Sequence, residues 1–251
     1  MKLQRYKRDS EVTYAMGATL VAELLKTHPD AITRVFLRPT EKHGEDLNKI
    51  ISELNQHDVE IVESTKAFNI LGAKDNCLLM AEFKKDCLFQ PMADFNRALG
   101  WKHIVLINPS DSGNLGTIMR SAAAFDYKSI TIETPAVDPF DPKVIRASMG
   151  AIFHLWINMT SDITPEIEPY ATHNFLAFIL DKNAKPLEDL KPADYINADL
   201  TLIFGNEAAG LPKDFCAKTG AIPVYIRQSD NVDSLNLGVA VSIAMHYFST
   251  N

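Results

Sequence analysis

Asn108-Pro109-Ser110-Asp111-Ser112-Gly113-Asn114-Leu115-Gly116-Thr117-Ile118-Met119-Arg120 follows directly on the apolar run His103 to Ile107 and leads into a helix-like stretch that ends at Phe125. A strand, a turn rich in Asn and Gly, and a helix are written one after another. Two more apolar runs end in loops of the same kind. One is Leu202-Ile203-Phe204-Gly205-Asn206-Glu207-Ala208-Ala209-Gly210-Leu211-Pro212, and the other leads to Val232-Asp233-Ser234-Leu235-Asn236-Leu237-Gly238-Val239-Ala240. Around them, short apolar runs predict strands over residues 103–107, 129–132, 152–157, 175–180, 200–204 and 222–226, with helices over 115–125, 142–149 and 237–248. Continuous apolar runs mark strands covered on both faces of a parallel sheet. Strand and helix in alternation predict an α/β domain.

The first third of the chain has its own alternation. The spacing predicts a helix over 12–27 that stops before Pro29, a strand over 32–37 and a helix over 45–56. A strand over 59–62, a Ser64-capped helix to residue 71 and a strand over 77–83 complete an αβαβαβ unit. Residues 84–91 are polar, contain Pro91 and are predicted to be a linker. The expected domains are therefore 1–90 and 91–251.

The 251 residues are 46% hydrophobic, enough for a substantial core, and no apolar run is long enough to span a bilayer. No secretory leader follows the basic start, and the three scattered cysteines imply a reducing compartment without disulfides. The expected location is the cytoplasm. The seven His show no metal-ligand spacing, so no metal is expected. The net charge of −7 is uneven, −1 over residues 1–100 and −6 over 101–251. A polyanionic partner would have to be met by local basic patches. Lys2, Arg5, Lys7 and Arg8 form the densest one, which reads equally well as a solvated terminus.

The loops carry the chemistry. Strand C-termini are where open α/β sheets bind ligands. Arg120 stands one to two turns into its helix, where a guanidinium can fork onto a phosphate oxygen or form an ordinary surface ion pair. Glu207 ends a buried run and needs hydrogen-bond partners, either in a reacting site or as a carboxylate that organises loop amides. Ser234 and Asn236 suit a helix start. The helix over 237–248 is apolar nearly all round, which predicts burial or an interface.

In this order the three segments resemble the motifs of the SpoU/TrmH family of RNA 2′-O-ribose methyltransferases, within the SPOUT superfamily, over residues 100–250. The resemblance implies an α/β domain whose C-terminal segment threads a deep trefoil knot, homodimerisation through the last helix, and S-adenosylmethionine as cofactor. The first domain is similar in element order to a small L30e-like substrate-binding domain. The implied catalytic set is Asn114, Arg120, Glu207, Ser234 and Asn236. The implied cofactor set is Phe204, Gly205, Asn206, Ile226, Leu235 and Asn236. RNA (rRNA or tRNA) contacts are implied for Arg120 and, with the basic terminus, for Arg146 in Arg146-Ala147-Ser148-Met149-Gly150. The chain departs from the pattern at Arg227, Asp230 and Gly238, where Pro, Gly and Ser are usual, and it has Lys74-Asp75-Asn76-Cys77 where a His-Gln-Gly type of segment is usual. Two other classes compete. One is a non-catalytic RNA-binding or assembly protein that retains the fold. The other, a dinucleotide oxidoreductase, fails because no G-x-G-x-x-G follows an early strand.

Overall fold

The computed structural model describes residue 3 and residues 5–40, 44–89, 102–167, 173–195 and 199–249. The chain divides into two compact units, and neither is a simple stretch of sequence. One comprises residues 1–88 and 138–154, the other residues 89–137 and 155–251.

The first unit is built on a four-stranded sheet of β1 (Val12–Met16), β2 (Ile32–Leu37), β3 (Ile61–Glu63) and β4 (Leu79–Lys84), in the order β1-β4-β2-β3. Residues 12–27, expected as one helix, divide into β1 and α1 (Ala18–Thr27). Gly17 is the reason. It sits at φ +119°, a conformation that ends a strand and that side-chain-bearing residues rarely adopt. Val12, Thr13 and Tyr14 are β-formers, and they pair antiparallel with β4 in register Tyr14–Glu82. Helices α2 (Glu45–Gln56) and α3 (Thr65–Leu71) fall where the sequence predicts them. Ser64 caps α3 by accepting from the Ala67 amide. The predicted linker is structured at its start, because Lys84 belongs to β4 and Leu88 is buried. Gln90 and Pro91 lie outside the described residues.

One buried ion pair organises this sheet. The Glu82 carboxylate accepts from both sides of the Arg34 guanidinium at 3.0 Å each and from Tyr14 and Thr33 hydroxyls at 3.1 and 2.9 Å. Such a charge is tolerable in the interior only when its oxygens are filled in this way. Residues 138–154, expected in the second domain, pack into the first unit instead. Tyr6 OH donates to Asp138 at 2.6 Å, Thr13 OH donates to the Phe140 carbonyl at 2.6 Å, and Phe153 meets Phe83 edge-on with centroids 5.6 Å apart. Helix α5 (Pro142–Ala147) belongs to this segment. Residues 151–154 form a 3-10 turn rather than the start of a predicted strand, so β7 begins only at Trp156. Apolar content alone did not distinguish the two.

The second unit is a parallel sheet of seven strands. They are β5 (His103–Ile107), β6 (Ser129–Glu133), β7 (Trp156–Thr160), β8 (Asn174–Phe178), β9 (Lys185–Pro186), β10 (Leu200–Phe204) and β11 (Ile222–Tyr225), in the order β7-β6-β5-β10-β8-β11-β9. Every residue of β5 and β10 is buried, as continuous apolar strands in a two-sided sheet should be. Helices α4 (Ser112–Ala124) and α8 (Leu237–Ser249) pack on each other, and α6 (Thr164–Ile167) and α7 (Phe215–Thr219) cover a core of Val105, Ile107, Phe175 and Ile203. Among the described residues, no helix is long and apolar enough to cross a membrane.

A polar row crosses the N-terminal end of this sheet. His103 is fully buried between Thr131 and Thr201, with ring nitrogens 2.9 and 3.2 Å from their hydroxyls, and Thr201 also meets His173 at 2.8 Å. Burial is the first cause that lowers both imidazoles, to about 3 for His103 and about 4 for His173. Both rings are therefore neutral in the fold, whereas in the unfolded chain they take up protons below about pH 6.5. Their contribution to stability is complete above that pH and is lost as pH falls towards the folded values. Each is expected to cost about 2 kcal/mol by pH 5. Thermal midpoints between pH 7.5 and 4.5 check this. A midpoint unchanged down to pH 4.5 would contradict the neutral row.

Candidate active site

The three loops singled out in the sequence meet at the C-terminal ends of the central strands. After β10 the chain doubles back, with Asn206 and Gly210 exchanging backbone hydrogen bonds of 2.9 and 3.2 Å. A β-carbon on Gly205 would stand 2.2 Å from the carbonyl carbon of Gly210, so only glycine permits this approach. Asn206 accepts from the amides of Ala208 and Ala209 through Oδ1 and donates to the Asn108 carbonyl at 2.8 Å. The second loop is thereby tied both to itself and to the first.

Glu207 is the meeting point. Its carboxylate accepts from the Ser110 amide (3.1 Å) and hydroxyl (2.8 Å), the Asp111 amide (3.2 Å) and Asn114 Nδ2 (3.1 Å). Burial alone would raise this carboxyl. The bonds from Asn114 and Ser110 outweigh it and hold the group below the ordinary carboxylate value. Asn114 then accepts from Asn236 Nδ2 at 2.8 Å, and Asn236 Oδ1 accepts from the Val239 amide at the start of α8. A single run of hydrogen bonds thus joins the start of α8, the first turn of α4 and the loop after β10.

The residues implied by the motifs fall into groups. Asn114, Asn206, Glu207 and Asn236 are in direct contact. Phe204, at the end of β10, is buried and stacks on Phe178 with centroids 4.5 Å apart. The Ile179 amide donates to the Val224 carbonyl, which draws the loops after β8 and β11 together. Ile226 and Leu235 are half-buried on that side. Ser234 is exposed and does not cap α8. The helix begins at Leu237, and Asn236 is its cap. Arg120 is exposed on α4, and among the described residues its side chain makes no hydrogen bond or ion pair. Arg146 is exposed in α5 and belongs to the first unit. Arg5 donates to the Ile70 carbonyl at 3.0 Å, Lys7 and Arg8 are exposed, and Lys2 lies outside the described residues. Ser110 and Asp111 were not singled out individually. The signal was present in the spacing, because Asp111 caps α4 by accepting from the Asn114 amide at 2.7 Å.

The model of the SpoU rRNA Methylase family matches residues 102–246, more than half of the chain. The chain belongs to the SpoU rRNA methylase family. One relative, an uncharacterized tRNA/rRNA methyltransferase of Synechocystis sp., is 32% identical over 143 residues, covering 57% of this chain and 51% of the relative. The 23S rRNA (guanosine-2′-O)-methyltransferase RlmP of Bacillus subtilis is 26% identical over 150 residues, covering 58% of this chain and 57% of its own. The chain thus spans little more than half the length of these curated relatives. An AdoMet-bound rRNA methyltransferase from Sinorhizobium meliloti superposes with a TM-score of 0.77 at 24% identity, over 95% of this chain and 87% of the other, a likeness of fold.

The departures from the SpoU pattern have visible partners. Gly238 faces Thr117 and Asn236, and an added β-carbon would stand 3.3 Å from the Thr117 methyl and from Asn236 Oδ1, a tight fit that these side chains would have to relieve. Asp230 and Arg227 are paired with side chains of neighbouring loops. Among the described residues, no cluster of three or more His, Cys, Asp or Glu is placed to hold a metal ion.

Glu207→Gln keeps the shape of the hub but sets an NH2 group against amide and hydroxyl donors. The expected loss is about 2 kcal/mol of stability, since a charge-assisted acceptor is replaced and donors are orphaned. Chemical denaturation of the variant beside the unaltered protein measures it. Equal stabilities would show that the hub is not held by the charge.

Proposed function

We propose that this protein is an S-adenosylmethionine-dependent RNA methyltransferase that acts on the 2′-hydroxyl of a ribose in rRNA or tRNA. The observation that carries the reading is the hydrogen-bonded junction of Glu207, Asn114 and Asn236 at the strand ends, with the unpaired guanidinium of Arg120 on the same helix as Asn114. The SpoU family assignment and the names of RlmP and the Sinorhizobium enzyme support it.

The residues at the strand ends suit this cofactor. Half-buried Ile226 and Leu235, with exposed Leu180 on the adjoining loop, offer apolar surface for a purine. The loops over 204–206, 226 and 234–236 offer backbone groups for its polar edges and for a ribose. S-adenosylmethionine supplies a methyl group already activated by the sulfonium charge. What remains for the protein is to hold the acceptor ribose in line and exclude water, so proximity and orientation carry much of the rate. Arg120 is the positioning and charge-stabilising group. A guanidinium stays protonated at any working pH and is a poor base, but it can grip an RNA phosphate and stabilise negative charge as it develops on the 2′-oxygen. Glu207, whose lone pairs are filled by the protein, acts by fixing Asn114 and the loops. Arg146, Arg5, Lys7 and Arg8 are proposed RNA contacts of the first unit, which we read as the substrate-binding domain.

We also propose a homodimer through α8, with the preceding segment threaded as a trefoil knot. The helix is not uniformly buried, as its composition predicts for an isolated chain. Val239 and Ile243, one turn apart, are 47% and 39% exposed. Two exposed apolar side chains one turn apart are the kind of surface that self-association covers, and His246 is exposed one turn further on.

Two measurements test these readings. Arg120→Ala should lose at least about a hundredfold in methyl transfer to RNA while calorimetric affinity for S-adenosylmethionine stays within twofold, a split expected of a group that meets developing charge rather than the donor. Full activity in that variant would remove Arg120 from the mechanism, and RNA binding without any methyl transfer by the unaltered protein would favour the non-catalytic alternative. Light scattering should give about twice the chain mass of 28.0 kDa, and a monomer at micromolar concentration would exclude the dimer.

A further inference from the structure

The segment 227–234 joins β11 to α8 and is exposed at every residue except half-buried Gln228. Gln228 binds within the segment, donating to the Asp233 carbonyl at 3.0 Å. The apolar side chain of Val232 is 51% exposed. Among the described residues, the hydrogen bonds and ion pairs that tie this segment to the rest of its unit come from charged side chains. Lys182 Nζ meets Asp230 Oδ1 at 2.6 Å. Arg227 stands with Nε 4.0 Å from Glu188 Oε2 and Nη2 4.0 Å from Asp189 Oδ1.

The partners are well placed to act as a fixed side. Lys182 sits in a tight turn after β8, closed by Asp181, whose side chain accepts from the Asn183 amide at 2.9 Å and whose carbonyl accepts from the Ala184 amide at 3.0 Å. Glu188 and Asp189 follow β9, which pairs with β11. Both sets of charges therefore run from loops anchored on the sheet edge to the one loop that ends in Ser234-Leu235-Asn236.

We propose that Lys182 is a positioning residue: with Asp230, and with Arg227 beside Glu188 and Asp189, it forms an ionic latch that sets the 227–234 loop for cofactor binding and makes cofactor affinity fall with ionic strength. This rests on the cofactor reading above. Exposed charges interact weakly and are screened by salt. The latch accordingly tunes affinity and leaves the fold intact.

The probe is S-adenosylhomocysteine, whose net charge is zero, so that salt acts on the protein rather than on the ligand. Its affinity is measured by calorimetry at about 0.05 M and about 1 M salt, conditions in which charges at this range are weakly and more strongly screened. The unaltered protein should bind more weakly at high salt. Lys182→Glu, which sets like charges together, should weaken binding by about fivefold at low salt and by clearly less at high salt, with an unchanged thermal midpoint. The exchanged pair, Lys182→Glu with Asp230→Lys, should recover affinity to within about twofold, since the pair's coupling is restored with its sign reversed. Binding by Lys182→Glu equal to that of the unaltered protein at low salt, or no recovery in the exchanged pair, overturns the latch while leaving the cofactor reading in place. No binding by the unaltered protein in either salt overturns the cofactor reading and the latch with it.

Discussion

The Glu207 carboxylate is the constraint from which the site follows. One ionised side chain at the end of a buried strand draws in two amides, a hydroxyl and a side-chain amide, all from the first turn of α4 and the loop before it. A partly buried charge is costly unless its lone pairs are filled, so the loops are not free to drift apart. Asn114 is fixed by that demand, Asn236 by Asn114, and the start of α8 by Asn236. Arg120, on the helix that this hub anchors, is exposed.

The two units solve the problem of buried polarity differently. In the first, Glu82 and Arg34 carry full charges and satisfy them in a fork, with Tyr14 and Thr33 closing the remaining positions. In the second, His103 and His173 are kept neutral among threonine hydroxyls. The imidazole row stays neutral in the fold and contributes its full share of stability only on the alkaline side of its unfolded value. The second unit, which holds the candidate active site, thus carries an acid-sensitive row in its sheet.

Much of this was legible in the sequence, for identifiable reasons. The parallel sheet could be read because its strands are continuous apolar runs, and the site because each motif sits at the end of one. Asn114, Asn206, Glu207 and Asn236 came together as their positions implied. The misreadings share a cause. Residues 12–16 are apolar with β-branched members, and their spacing also fits a helix. Only the pairing with β4 and the backbone of Gly17 decide between the two. Ser234 looked like a cap because Ser and Asn serve equally at a helix start, and the choice between them depends on where the chain turns. The exposed strip of Val239 and Ile243 on α8 could not be separated from its buried face, because the helix is apolar on both. The placement of residues 138–154 was invisible, since it depends on contacts with Tyr6, Thr13 and Phe83, far away in the chain.

That last feature bears on how the protein is made. The first unit lacks part of its interior until residues 138–154 join it, including the Phe153 ring against Phe83 and the Asp138 acceptor of Tyr6. On a ribosome adding about 5–20 residues per second, the N-terminal sheet therefore waits for several seconds with one side unfinished. In that interval β5, α4 and β6 are synthesised, so the two units mature interleaved in time rather than one after the other. A break in the chain between residues 88 and 138 would divide the protein at neither unit's natural boundary.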